Sequence, residues 1–194
     1  MKCDIILAGV GGQGILSIAA SIGMAALESD LFIKQAEVHG MSQRGGAVQS
    51  NLRISAKPIA SDLIPLGKAD LILSVEPMES LRYLPWLSPG GWLITNIRPF
   101  VNIPDYPDLE ALKEQIHRVP NHIALDADAI AASLGSGKVS NTVILGAATP
   151  FIDIPYDHFE HGIRNIFQKK GEEIVTLNLK ALRMGKEMSE SSLE

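Results

Sequence analysis

The chain has 194 residues, 46% of them hydrophobic, which is enough to bury one core, and its net charge of -5 with scattered lysines and arginines leaves no electrostatic footprint for nucleic acid. No apolar run approaches the ~20 residues that span a bilayer. The amino terminus enters a strand after one lysine, without the pattern of a secretory signal, so the expected location is cytoplasmic and no membrane partner is expected.

Ile5-Ile6-Leu7-Ala8 reads as a strand, Gly9-Val10-Gly11-Gly12-Gln13-Gly14 as a turn and Ile15 to Leu27 as a helix. Gly9, Gly11 and Gly14 meet the G-x-G-x-x-G spacing, which permits a tight turn, close approach of a ligand and close helix-to-strand packing. The N–H groups that open the helix would attract an anion. Glycines between a first strand and a first helix also serve packing alone. Glu28-Ser29-Asp30 makes a polar turn into a second strand ending near Gln35-Ala36-Glu37, where a ribose-binding acid is expected in a dinucleotide fold. Glu37 is that candidate. The next segment departs from such a fold, because Val38 to Gly46 reads as a polar loop and Ala47 to Ile54 as another strand, with no crossover helix between.

Lys57-Pro58 breaks the chain, and Leu71 to Val75 reads as a strand buried on both faces. Pro77 suits the first turn of a short helix through Leu84, and Ser88-Pro89-Gly90-Gly91 reads as a turn into a strand from Trp92 to Thr95. A proline-rich excursion spans Arg98 to Pro107. Asp108 is expected to cap a helix with Leu109, Leu112, Ile116 and Val119 on one stripe, Asp126 to cap one through Leu134, and Asn141 to cap one containing Thr142 to Ala148, with a strand from His122 to Leu125. Ile174, Leu177, Ala181, Met184 and Met188 mark a last helix. The expected architecture is a three-layer α/β/α domain over residues 1–188, with a mostly parallel, Rossmann-like sheet and a frayed tail over 189–194.

Among residues with reactive chemistry, Cys3 excludes an internal disulfide and cannot supply the four thiolates of an iron–sulfur cluster. The five histidines, His39, His117, His122, His158 and His161, contain no His-Glu-x-x-His arrangement, so no metal site is expected. Gly135-Ser136-Gly137-Lys138 lacks the hydroxyl residue after the lysine that a phosphate loop requires and reads as a helix stop. The stretch Glu37-Val38-His39-Gly40-Met41-Ser42-Gln43-Arg44-Gly45-Gly46 groups an acid, an imidazole, an amide and a guanidinium. His39 could donate a proton near neutral pH and Arg44 could clamp a phosphate or carboxylate; the alternative is a loop stapled by its own hydrogen bonds. Glu76 follows a buried strand at its carboxyl end, where α/β sheets place ligand crevices, although an acid there also complements a helix dipole. Trp86 and Trp92 read as core or interface anchors.

These motifs together, with Leu63-Ile64-Pro65, Ala69-Asp70, Glu76-Pro77, Leu81-Arg82-Tyr83-Leu84-Pro85 and Pro89-Gly90-Gly91, resemble the small subunits of indolepyruvate ferredoxin oxidoreductases over nearly the whole chain. The glycine motif is shared by the gamma subunits of 2-oxoacid:ferredoxin oxidoreductases generally, and His39 to Arg44 resembles the arylpyruvate branch. The resemblance implies a subunit inactive alone, whose larger partner carries thiamine diphosphate, magnesium and 4Fe–4S clusters. The complex would decarboxylate arylpyruvates, join the acyl group to coenzyme A and pass electrons to ferredoxin. It further implies that Gly9, Gly11, Gly12, Gln13, Gly14 and Arg44 approach coenzyme A phosphates or the substrate carboxylate. Glu37, His39, Gly40, Met41, Ser42, Gln43, Gly45, Gly46 and Glu76 would then face the partner's active region. A gamma subunit acting on pyruvate or 2-oxoglutarate, or a freestanding nucleotide-binding protein, are the alternatives.

Overall fold

A computed structural model describes residues 1–39 and 45–193. Its sheet has six strands in the order β2-β3-β1-β4-β5-β6: β1 (Lys2–Val10), β2 (Phe32–His39), β3 (Ala47–Ser55), β4 (Ala69–Ser74), β5 (Leu87–Asn96) and β6 (His122–Leu125). β1, β4, β5 and β6 pair in parallel, and β3 alone runs against the others, inserted between β1 and β2. The expected mostly parallel three-layer α/β fold is therefore present. Where an ordinary dinucleotide fold has a second crossover helix, this chain has the β2–β3 hairpin.

Alternation along each strand sends side chains to two cores. Ile5, Leu7, Leu52, Leu71 and Leu73 face α1 (Ile15–Glu28), α4 (Ala127–Ser133), α5 (Ser140–Ala148), α6 (Tyr156–Phe167) and α7 (Glu172–Ser191), with Phe159 wholly buried among them. Ile6, Ala8, Ile72 and Leu93 face a smaller core with Ile64, Tyr83 of the turn after α2 (Pro77–Arg82), and Ile116 of α3 (Leu109–His117). Asp4, 1% exposed, is held by Arg53 Nε at 2.8 Å and Lys2 Nζ at 2.7 Å. Arg53 also donates to the carbonyls of Ser61 and Leu63, fastening the segment that carries Ile64 onto the second core.

Several local expectations hold. Asp108 and Asp126 cap α3 and α4 by accepting from Ala111 N and Ala129 N. Gly135, at φ 91°, ends α4 as Ser136 N returns to Ala131 O. Trp92 stacks on Phe151 in the first core, and Trp86 meets Tyr83 in the second.

Three expectations are corrected. Ser88 to Gly91 is not a turn before a strand but an irregularity inside β5: Leu87 faces Ala69, and the next paired residue, Trp92, faces Leu71. A Cβ on Gly91 would lie 2.9 Å from Ala69 O, so only glycine admits this approach. Asn141 does not cap α5, because a 3-10 turn over Gly137–Val139 starts the helical path earlier and leaves Asn141 within the first turn. The helix from Pro77 stops at Arg82, and Leu84–Trp86, with Pro85 inside it, forms a separate 3-10 turn. At the carboxyl end α7 continues to Ser191, with Ser189 buried. His158 Nδ1 lies 2.7 Å from Ser29 Oγ and His161 Nδ1 2.6 Å from Glu28 Oε1, each joining α6 to the end of α1.

Candidate functional site

β1 lies where the chain's path over the sheet diverges, β2 and β3 lying to one side and β4 to the other, and α/β sheets form their crevice outside the carboxyl end of such a strand. There the glycine turn joins β1 to α1. Gly14 sits at φ 84° as the N-cap of α1 and offers no side-chain cap; Ser17 N turns back to Gly14 O, and the N–H groups of Ile15 and Leu16 before it face the mouth of the turn, where an anion would be attracted. Gly12 also has positive φ, 104°. A Cβ on Gly9 would lie 2.4 Å from Val75 Cγ2, so this glycine serves packing of β1 against β4.

Gln13 is turned inward. Its Oε1 accepts from Val10 N at 2.8 Å and its Nε2 donates to Val75 O at 3.4 Å. Asn96 Nδ2 donates to the same carbonyl at 3.3 Å and to Asp128 at 2.7 Å, while its Oδ1 accepts from Ala127 N. One side-chain network thus fixes the ends of β1, β4, β5 and α4 relative to one another.

Two clefts flank the turn and share Gly12 and Gly14. The first, about 370 Å³, lies between the turn, Ile15, Leu16 and Val48, and is bordered by Glu37 and His39, which share a face of β2. Gly11 N donates to Gly46 O and Gly45 N donates to Gly11 O, so Gly45 and Gly46 are tied directly to the turn. Gly40, Met41, Ser42, Gln43 and Arg44 lie outside the described residues.

The second cleft, about 490 Å³, opens where α1 and α5 both present their amino ends, with Ser17, Ser136, Lys138, Ser140 and Lys170 around it. Asn141 bridges the two helices by donating from Nδ2 to Gly14 O at 3.2 Å. Thr142 Oγ1 donates to Asn178 Oδ1 at 2.7 Å beneath it. Helix dipoles and lysines together make this the electropositive side of the turn. Gly137 and Lys138, which do not form a phosphate loop of the usual spacing, nevertheless belong to it.

Glu76 is fully buried and caps α2, its Oε2 accepting from Glu79 N at 2.8 Å. Its other oxygen accepts from Tyr106 Oη and from Phe100 N. The Arg98-to-Pro107 excursion is thereby strapped across the sheet end, and Asn102 Nδ2 donates to Gly45 O at 2.6 Å. Glu76 acts on the site through this strap. Burial, followed by the Glu76 hydrogen bond, pushes the Tyr106 phenol well above its ordinary value and keeps it a donor. Burial likewise raises the neighbouring Glu79 carboxyl, although Arg82 partly offsets it. Sequence reading missed Asn102, Tyr106, Asn141, Lys138 and Lys170; the Gly-Ser-Gly-Lys wording was the one local signal of them.

The donor set does not fit an iron–sulfur cluster in this chain. Cys3 is buried in β1, with its thiol pushed up to about 12 by burial and the nearby Asp70 and Asp4, and no group of three or more metal-ligating side chains occurs among the described residues. A dinucleotide-binding reading lacks its usual frame, since β3 rather than a crossover helix follows β2, although Glu37 does border the first cleft beside the glycine turn. No helix of the described residues is long and apolar enough to cross a membrane.

The pyruvate ferredoxin/flavodoxin oxidoreductase family profile matches residues 4–188. The indolepyruvate oxidoreductase subunit IorB of Archaeoglobus fulgidus is 37% identical over 95% of this chain and 94% of its own length. The IorB subunit of Pyrococcus horikoshii is 38% identical over 94% and 93%. In fold, the chain is similar to part of the 2-oxoglutarate:ferredoxin oxidoreductase of Magnetococcus marinus, a structure with 2-oxoglutarate, coenzyme A and succinyl-CoA bound. The TM-score is 0.77 at 21% identity, covering 98% of this chain and 31% of that one.

Proposed function

The chain belongs to the pyruvate ferredoxin/flavodoxin oxidoreductase family, and from that premise we propose that it is the small subunit of an indolepyruvate ferredoxin oxidoreductase. The reaction is the oxidative decarboxylation of arylpyruvates to aryl-acetyl-CoA, with electrons passed to ferredoxin in the cytoplasm. The observation that carries this reading is the near end-to-end likeness to IorB subunits, which spans the glycine turn, the β2–β3 hairpin and the strap alike. Thiamine diphosphate, magnesium and the 4Fe–4S clusters belong to a larger partner subunit, which supplies the carbon chemistry and the electron path. A Cys3-only chain without a ligand cluster among its described residues is in keeping with that division.

This chain's own contribution is binding and shaping. The phosphates of coenzyme A lie in the second cleft, at the amino ends of α1 and α5 and between Lys138 and Lys170. The first cleft, with Glu37 and His39, and the loop through Arg44 face the partner's reaction centre. The inward hydrogen bonds of Gln13 hold the turn in shape, so its part is to position the glycines.

The test is reconstitution with the large subunit. Lys138→Ala with Lys170→Ala is expected to raise the KM for coenzyme A about tenfold or more, each lost charge-assisted contact being worth roughly 1–2 kcal/mol, while the KM for indolepyruvate stays put. Unchanged coenzyme A dependence overturns the placement. Faster turnover of pyruvate or 2-oxoglutarate than of arylpyruvates overturns the substrate.

A further inference from the structure

Strand β2 is a sheet edge that folded chains seldom leave bare. It runs for 8 residues from Phe32 to His39 in unbroken register with β3, without proline or bulge, whereas the opposite edge, β6, has 4. Among the described residues no strand pairs with its outer side. Such an edge is a template for another chain and is usually blunted by a lysine, a proline or a bulge. Here Lys34 is folded back on its own chain, its Nζ donating to Ala60 O at 3.0 Å. Phe32 and Val38, on the face turned away from α1, are 49% and 57% exposed.

We propose that this edge receives a second copy of the chain, the two β2 strands pairing antiparallel about a two-fold axis at Gln35. The choice of occupant rests on the residue pattern. An antiparallel pair sets residues at equal distances from the axis opposite each other on one face. With the axis at Gln35, Phe32 of each copy meets Val38 of the other, an aromatic–β-branched pair formed twice that covers both exposed side chains. Lys34 meets Ala36, so no like charges oppose. An axis at Lys34 would set the two lysines against each other, and one at Ala36 would leave Phe32 beyond the paired stretch. The sheet becomes continuous across both copies, and Ile33 of the second copy lies beside Glu37 at the rim of the first cleft. The inference rests on β2 alone and stands apart from the reading of the chain as an oxidoreductase subunit.

The test uses the full chain carrying Gln35→Cys. Directly opposed residues of an antiparallel pair have Cα atoms roughly 4.5–5.5 Å apart, within reach of a disulfide, and native Cys3 is buried and protonated. Oxidation is expected to link Gln35→Cys chains in pairs but not Phe32→Cys chains, whose substituted positions would lie about 20 Å apart. Sedimentation of the unmodified chain at tens of micromolar should give the mass of two chains. Val38→Lys should give the mass of one, with a single cooperative thermal melt, lower than that of the paired chain, showing that it still folds. A single-chain mass for the unmodified protein, equal linking at both cysteine positions, or a Gln35→Cys link formed only to a larger subunit when the complex is assembled would each overturn the proposal.

Discussion

Asn141 donates through Nδ2 to the carbonyl of Gly14 at 3.2 Å, joining residues 127 positions apart where two helices begin. The contact leaves no room for a side chain at Gly14, because a Cβ there would lie 2.4 Å from the same nitrogen and the backbone sits at φ 84°. Gly14→Ala is therefore expected to cost about 1–2 kcal/mol from the left-handed backbone alone and to push Asn141 aside. Urea unfolding reads the first effect. A rise in the KM for coenzyme A in the reconstituted complex reads the second.

The tightest helix contact lies elsewhere. Gly146 of α5 and Gly185 of α7 face each other's backbone: added Cβ atoms would fall 2.0 Å from Leu182 O and 1.9 Å from Val143 O. Either alanine substitution must force the helices apart, at a cost of about 3 kcal/mol or more. One separation relieves both clashes, so the double variant should lose less stability than the two singles added together. Denaturant midpoints of the four proteins decide this.

Tyr106→Phe removes one of the bonds from the strap to Glu76 while keeping the ring. The expected loss is about 1–3 kcal/mol in the local opening of residues 98–107, with a smaller effect on global unfolding. Hydrogen exchange in the strap and chymotryptic cleavage after Phe100 should both accelerate. Unchanged rates would mean that Asn102 and Phe100 hold the segment without the tyrosine.

Acid sensitivity should trace to Asp4. Burial alone would push its carboxyl up, but Arg53 and Lys2 outweigh it and hold it below the ordinary value of 3.8. As pH falls the unfolded chain takes up the proton first. The contribution is thus complete above about pH 4 and disappears as pH drops through the lowered folded value. Asp4→Asn should cost roughly 3 kcal/mol at pH 7, because Arg53 is left short of its partner, and should show a flatter loss of stability between about pH 5 and 2.5. Unfolding free energies across that range test the sign.

What could be read from the sequence was local. Asp108 and Asp126 announce their helices because a capping side chain bonds within three residues, and Leu71 to Val75 reads as strand because both its faces are apolar. The glycine turn was legible as a turn, and the resemblance supplied its context. The insertion of β3 between β1 and β2 was not legible, since period-two alternation reports which face a residue takes and not which strand lies beside it. Asn141 has a capping residue's chemistry, yet Gly137–Val139 starts the helical path before it and frees its amide for Gly14. Tyr106 and Glu76 are 30 positions apart, and nothing near either announces the other.

Gln13 and Asn96 converge on the single carbonyl of Val75. The rim they brace is set when the chain folds, so an arriving ligand meets donors already aimed and has little loop to immobilise. Affinity at this mouth should accordingly depend on matched charge more than on induced rearrangement, and association should slow with added salt far more than with neutral osmolytes that merely stiffen the chain.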